Sequence, residues 1–163
     1  MLAVTSSARW YTLFCVDDEG KLVINYPITA ALALIVLAFF AHITVGLIES
    51  FSVRPARNGG ASKADPDFAK IERNWVQLMC AFQLVSVDLA VVALILYLLA
   101  FTDYLMPAQS IAVGMSVLFV LWGISWLLQL SFLKRPSRDY LFLGQWSFWF
   151  LCSGLTYWGA QAL

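Results

Sequence analysis

Charged side chains are scarce in this sequence. Asp, Glu, Lys and Arg make up 12% of its 163 residues, whereas soluble domains average about 25%. A water-soluble protein of this size has too much surface to cover with so few charges, which excludes an ordinary cytosolic enzyme. The formal net charge of zero excludes a nucleic-acid-binding module, and the 61% hydrophobic content excludes disorder. These shortages leave an integral membrane protein as the prediction.

Residues that carry catalytic or metal chemistry are equally rare. The sequence has one histidine and three cysteines, and Cys15, Cys80 and Cys152 are too scattered for a disulfide framework or a C-x-x-C motif. It also contains no Ser-His-Asp pattern and no glycine-rich phosphate loop. We therefore expect no catalytic residues and no metal site, and an enzyme is the less favoured class.

Long apolar runs are what the sequence does contain. Each run has the roughly 20 residues that a helix needs to cross a bilayer, and each is continuously apolar rather than alternating as in a β-barrel. The prediction is an all-α, polytopic membrane protein whose domain, residues 27–163, is a bundle of four transmembrane helices. The four predicted spans are 27–48, 75–101, 108–133 and 140–163.

Local signals refine the ends of these spans. Pro27 suits the first turn of a helix, and Asp65-Pro66-Asp67 combines an N-cap, a proline and an acid near the positive helix terminus. The second helix is therefore expected to start near Pro66, about ten residues before the membrane. Residues 1–26 do not resemble a cleaved signal peptide. They are expected to form a short hairpin or an interfacial segment outside the cytoplasm.

The distribution of basic residues predicts the orientation. Eight of the ten lie in the loops 49–74 and 134–139, and only Arg9 and Lys21 precede the first span. Because cytoplasmic loops are enriched in Lys and Arg, both loops are predicted to be cytoplasmic. The N- and C-termini are then both on the non-cytoplasmic side.

Two polar residues within the spans are the main candidate site. Asp88 lies near the middle of the second span, where an ionised carboxylate costs about 2.5–3.5 kcal/mol on insertion scales. It is expected to face the bundle, to be protonated or to have a partner. His42, in the first span, lies within about two helical turns of the same depth. A direct or water-bridged His42–Asp88 pair is expected if the two helices adjoin.

Each span also carries a line of small or polar residues at helical spacing, as helix–helix interfaces in lipid do. In the second span, Gln77 and Asp88 are three turns apart with Cys80 between them. The third span aligns Ser110, Gly114, Ser125 and Gln129. These lines predict contacts between helices.

A local pattern around His42 resembles bacterial light-harvesting polypeptides. The pattern is Ala38-x-x-x-His42, in which a small residue precedes a histidine by one turn. The resemblance implies that His42 is an axial ligand of a chlorophyll-type pigment. The alternative interpretation is a histidine that relays protons or donates to a neighbouring group.

The layout is similar to that of the family containing microsomal glutathione transferases and leukotriene synthases. Shared features are four spans, a long basic first loop, a second helix extended into the cytosol, and residues 68–73 with their Glu-Arg pair. The family's later Asn and Glu positions are Cys80 and Gln83 here. The resemblance implies glutathione as a cofactor held by Arg73, Arg135 and Arg138.

Three functions therefore stay open. The favoured one is a non-catalytic subunit that packs within a larger membrane complex, as a homo-oligomer or with other subunits, and contacts lipid, pigment or another cofactor. The second is the glutathione-transferase-like enzyme. The third is a small proton-coupled transporter in which Asp88 loads the proton and His42 relays it.

Overall fold

The structure is a computed structural model that describes residues 24–55, 66–142 and 144–163. Helices account for 85% of the described residues, and none of those residues is in a strand. The all-α class is therefore confirmed. Residues 1–23 of the expected N-terminal hairpin or interfacial segment, and residues 56–65 of the first loop, lie outside the described residues.

The first predicted span is one continuous helical rod. Helix α1 (Tyr26–Ala41) leads into a π-helical turn (His42–Gly46) and then into α2 (Leu47–Ser52). Asn25 caps its start, because the Asn25 side-chain oxygen accepts a hydrogen bond from the Ile28 backbone N–H at 3.2 Å. The rod continues four residues beyond the predicted end at residue 48.

Helix α3 (Pro66–Phe101) has 36 residues and is helical from the first residue described after the loop, which is Pro66. At 1.5 Å per residue it is about 54 Å long, well beyond the roughly 30 Å of a hydrocarbon core. Trp75 ties it to α2 by an indole N–H that donates to the Ser50 carbonyl oxygen at 3.1 Å. The helical turns before Trp75 therefore extend past this contact. This agrees with the prediction that the helix begins several turns before its apolar part.

Helix α4 (Ala108–Phe132) packs antiparallel to α6 (Gln145–Ala160). Across this contact the Ser116 and Ser153 hydroxyls are 2.9 Å apart, and the Ser116 hydroxyl also lies 3.1 Å from the Ser153 carbonyl oxygen, to which it can donate. The Phe119 and Trp149 rings stack with centroids 6.0 Å apart. A small polar contact and a large aromatic one therefore join the two helices.

The fourth predicted span differs from the structure. Instead of one helix over 140–163, a short helix α5 (Ser137–Phe142) is followed by a break at Gly144 and then by α6. Trp146 donates to the Tyr140 carbonyl oxygen at 2.7 Å and so holds the two sides of the break together. The 16 residues of α6 cover only about 24 Å.

Three described helices are long and apolar enough to cross a membrane: Tyr26–Ser52, Asp67–Phe101 and Ala108–Phe132. These helices indicate an integral membrane protein of the helical class. The apolar residues that they expose are consistent with this, since Leu78 and Phe132 are 69% and 78% accessible. Such exposure is unfavourable in water and favourable in lipid.

The chain divides into two compact units. One is Ala30–Leu96, which we call the first hairpin, and the other, which we call the second unit, comprises Tyr97–Leu163 with the described residues before Ala30. In the first hairpin Ile35 and Leu96 are fully buried, and in the other unit Phe119, Cys152 and Thr156 are fully buried. Each unit thus has buried apolar side chains of its own.

Candidate functional site

His42 lies in the π-helical turn and contacts α3. Its Nε2–H donates to the Phe82 carbonyl oxygen at 3.1 Å, and its ring stacks on the Phe82 ring with centroids 3.8 Å apart and planes 15° apart. A carbonyl oxygen only accepts, so Nε2 must carry the proton. In the neutral ring, Nδ1 is then the free acceptor.

The π-helical turn brings the two helices close together. A side-chain carbon at Gly46 would lie 3.0 Å from Cε2 of Phe82, so glycine is what allows the Phe82 ring to lie against the turn. The Phe82 carbonyl oxygen also accepts from the Ser86 hydroxyl at 3.2 Å. Turns of this kind occur often at functional sites, and this one positions the only histidine of the chain.

The residues around His42 do not fit a pigment ligated through Nε2. That nitrogen is engaged by the Phe82 carbonyl oxygen, and one face of the ring is covered by the Phe82 ring. The axial-ligand and proton-relay roles of His42 stay predictions.

A cavity of about 350 Å³ lies in the first hairpin beside this histidine. His42, Phe82 and Val85 line it at one end, and Val53 and Trp75 line it at the end nearer the loop that joins α2 to α3. Its size is within the range of about 300–1,000 Å³ that is usual for ligand sites. The walls are almost entirely apolar.

A cation stands beside this cavity. The guanidinium carbon of Arg54 lies 5.4 Å from the centre of the Trp75 ring, within the range of a cation–π contact. Phe51 packs edge-on against the same ring at 5.9 Å. Trp75 is therefore fixed on two sides and by its hydrogen bond to Ser50.

Asp88 does not line this cavity. It is exposed, and no hydrogen bond or ion pair joins its carboxylate to another described residue. It lies six residues after Phe82, which is about 9 Å along α3 and 240° around it. The expected pairing with His42 is not seen, because His42 bonds to the Phe82 carbonyl instead.

The polar line of the second span points away from the chain. Gln77, Cys80 and Asp88, which we call the α3 polar stripe, are all exposed. The line predicted on the third span is also exposed; it comprises Ser110, Gly114, Ser125 and Gln129. These residues make none of the interhelical contacts of α4 given above.

The three candidate arginines have different surroundings. Arg135 is paired, since its Nε–H donates to Asp139 Oδ2 at 2.7 Å. Arg73 and Arg138 are exposed and form no ion pair within the described residues. Arg73 belongs to the first hairpin and the other two to the second unit. Their role in binding glutathione stays a prediction.

Sequence reasoning missed Phe82, Trp75 and Arg54 as parts of a site. Phe82 is one of twelve phenylalanines and carries no signal of its own. Arg54 follows the end of the first apolar run, and Trp75 begins the second. Since consecutive antiparallel helices bring these two ends together, the sequence does contain a signal for an aromatic–cation contact.

Comparisons with known protein families, curated proteins and solved structures found no significant match. Within the described part of the chain, no three His, Cys, Asp or Glu side chains are grouped so as to hold a metal ion. The site must therefore be interpreted from its own geometry.

Replacing His42 with phenylalanine is expected to destabilise the first hairpin by about 1 kcal/mol. The change keeps a flat ring against Phe82 and removes one hydrogen bond between helices, which in membrane proteins contributes about 0.6 kcal/mol on average and up to about 1.7. Reversible unfolding in mixed micelles measures the difference. Val45→Leu, at an exposed position of the same turn, is the control. Equal stability of His42→Phe and wild type would contradict a structural role for this bond.

Proposed function

We propose that the protein is a non-catalytic subunit of a membrane complex and that it packs against another chain through the α3 polar stripe. The observation that carries the proposal is the exposure of Asp88. It lies thirteen residues from both Trp75 and Phe101, so its depth is that of the bilayer centre when α3 spans the membrane.

The cost of such a carboxylate supports a partner. An acid at this depth that faces lipid costs about 2.5–3.5 kcal/mol on insertion scales, and such residues almost always face protein or water. Asp88 has no partner among the described residues. A second chain that brings a cation or a hydrogen-bond donor to α3 removes this penalty.

The contrast with other polar groups also supports the proposal. The Thr156 hydroxyl donates to the Cys152 carbonyl oxygen at 2.8 Å, and Ser116 bonds to Ser153. No buried side-chain nitrogen or oxygen within the described residues lacks a hydrogen bond. Polar side chains that are buried within the chain are therefore paired, whereas the exposed Asp88 carboxylate has no partner among the described residues.

The proposed topology has four crossings, with both termini on the non-cytoplasmic side. The basic loops support the orientation. The packing of α6 along α4 supports α6 as the fourth crossing. Helix α6 is about 6 Å shorter than the hydrocarbon core is thick, a difference that local thinning of the bilayer can accommodate.

The geometry supports a subunit better than either alternative. A proton carrier needs its carboxylate on a path through the protein, whereas Asp88 is on the outer surface of α3. A glutathione site needs free cations that converge, whereas Arg135 is already paired with Asp139. Neither alternative has an observation that favours it specifically.

The mass of the native particle tests the proposal. After extraction from its own membrane with a polymer that retains the lipid annulus, native mass spectrometry is expected to show a particle with two or more chains. A single 18.2 kDa chain with no second polypeptide would count against it. An absorption spectrum and a glutathione titration of the same sample test the alternatives, since heat on adding glutathione would favour the enzyme.

A further inference from the structure

The cavity in the first hairpin has no role in the proposed assembly. Residues that line it are also exposed, namely Val53 at 71%, Leu78 at 69% and Val85 at 43%. The cavity therefore opens on the outside of the hairpin, where an apolar surface meets acyl chains when the helices span a membrane. An apolar cavity that opens sideways in this manner can admit a lipid acyl chain from the surrounding bilayer.

The charge at one end of the cavity indicates which kind of head group the bound acyl chain carries. Arg54 directly follows Val53, a lining residue, and its guanidinium stacks on the Trp75 ring, another lining residue. No described carboxylate is paired with Arg54, although Glu49 and Glu72 lie near the same end of the hairpin. No described acceptor engages its N–H donors, which can form charge-assisted bonds with a phosphate.

The depth of these groups matches a lipid. Trp75 begins the apolar part of α3, and tryptophan favours the layer where head groups meet acyl chains. Arg54 lies at the end of the first helical rod, next to the loop. The cation is thus at head-group level, and the cavity extends from it towards the membrane interior by way of Leu78 and Phe82.

We propose that the first hairpin binds one anionic phospholipid, with an acyl chain in the cavity and the phosphate on Arg54. The lipid comes from the leaflet on the side of the loop between α2 and α3. Binding is non-covalent and uses no residue of the α3 polar stripe, so it can succeed or fail independently of the proposed assembly.

Lipid retention tests this site. Wild-type protein is placed in nanodiscs of equimolar phosphatidylglycerol and phosphatidylcholine. Native mass spectrometry then identifies, by mass, the lipids that stay bound when the protein is released from the nanodisc. We expect at least tenfold preferential retention of phosphatidylglycerol. Arg54→Gln is expected to reduce the preference roughly tenfold, since bonds to charged groups are worth a factor of this order. Lys70→Gln removes a charge from the same end of the hairpin and is expected to keep the preference.

A second variant and a cross-link test the acyl chain. Leu78→Trp fills the cavity from an exposed position and is expected to lower the retention of both lipids. A photo-reactive phenylalanine analogue at residue 78 is expected to form a lipid adduct in wild-type background. Equal retention of the two lipids by wild type, an unchanged preference in Arg54→Gln, or a cross-link to a polypeptide instead of lipid would overturn the proposal.

Discussion

Replacing Asp88 with leucine is expected to release the protein from its assembly and, at the same time, to make insertion of the chain into a membrane more favourable. The carboxylate is unfavourable on a lipid-facing helix, so its removal favours the single chain by about 2.5–3.5 kcal/mol on insertion scales. The partner, in contrast, loses the group that its cation or donor binds. Leaving a buried charge unpaired costs about 3–5 kcal/mol, which weakens association by more than a hundredfold.

Two measurements check this opposite pair of effects. Native mass spectrometry follows the loss of the second chain, and a membrane-insertion assay follows the insertion free energy of α3 in the single chain. Val87→Leu, next to Asp88 and also exposed, is the control and is expected to change neither. An assembly that survives intact in Asp88→Leu would mean that the α3 polar stripe is not the interface.

Replacing Gly159 with valine is expected to destabilise the second unit by about 3–4 kcal/mol. A side-chain carbon at this position would lie 2.4 Å from Cγ1 of Ile28 and 2.6 Å from Oδ1 of Asn25. Ile28 is fully buried, and the Asn25 amide donates to the Gly159 carbonyl oxygen at 2.9 Å. The larger residue therefore causes overpacking and also breaks a hydrogen bond, which together account for this magnitude.

Gly154 offers a matched control for this prediction. It lies on the same helix, it is exposed, and no atom lies within 4 Å of the position where a side-chain carbon would be added. Gly154→Val is therefore expected to leave the unfolding free energy within about 0.5 kcal/mol of wild type. Unfolding midpoints in mixed micelles compare the two variants. Equal losses at both positions would show that helix propensity, and not the contact with Ile28, determines the effect.

Much of the architecture could be predicted from local signals. The expectation that α3 starts near Pro66 rests on an acid, a proline and a second acid, because each favours a helix N-terminus through its own backbone or charge. The start of α1 is equally local, since Asn25 caps the helix next to Pro27. The fourth span was less predictable. Its hydropathy is continuous, but a glycine between two short helices interrupts it.

The packing face of α4 could not be predicted in the same way. On α4 the sequence suggested a line through Ser110 and Gln129, yet the contact with α6 uses Ser116 and Phe119. Helices that are apolar on all sides have no preferred face in lipid, because turning them changes little hydrophobic burial. Shape and hydrogen bonding between particular pairs then decide the face, and these depend on both helices together.

The amino-acid sequence by itself determined that the chain forms long apolar helices, that Pro66 suits a helix N-terminus, and that Asp88 is the one acid near the middle of a long apolar run. Those properties depend on transfer energies and backbone preferences that act residue by residue. Only the tertiary structure decided that His42 bonds to the Phe82 carbonyl, that Arg54 and Trp75 flank a cavity, and that Asp88 faces outwards. Each of these depends on how two helices meet, because a span's composition limits its depth in the membrane but not its rotation against a neighbour.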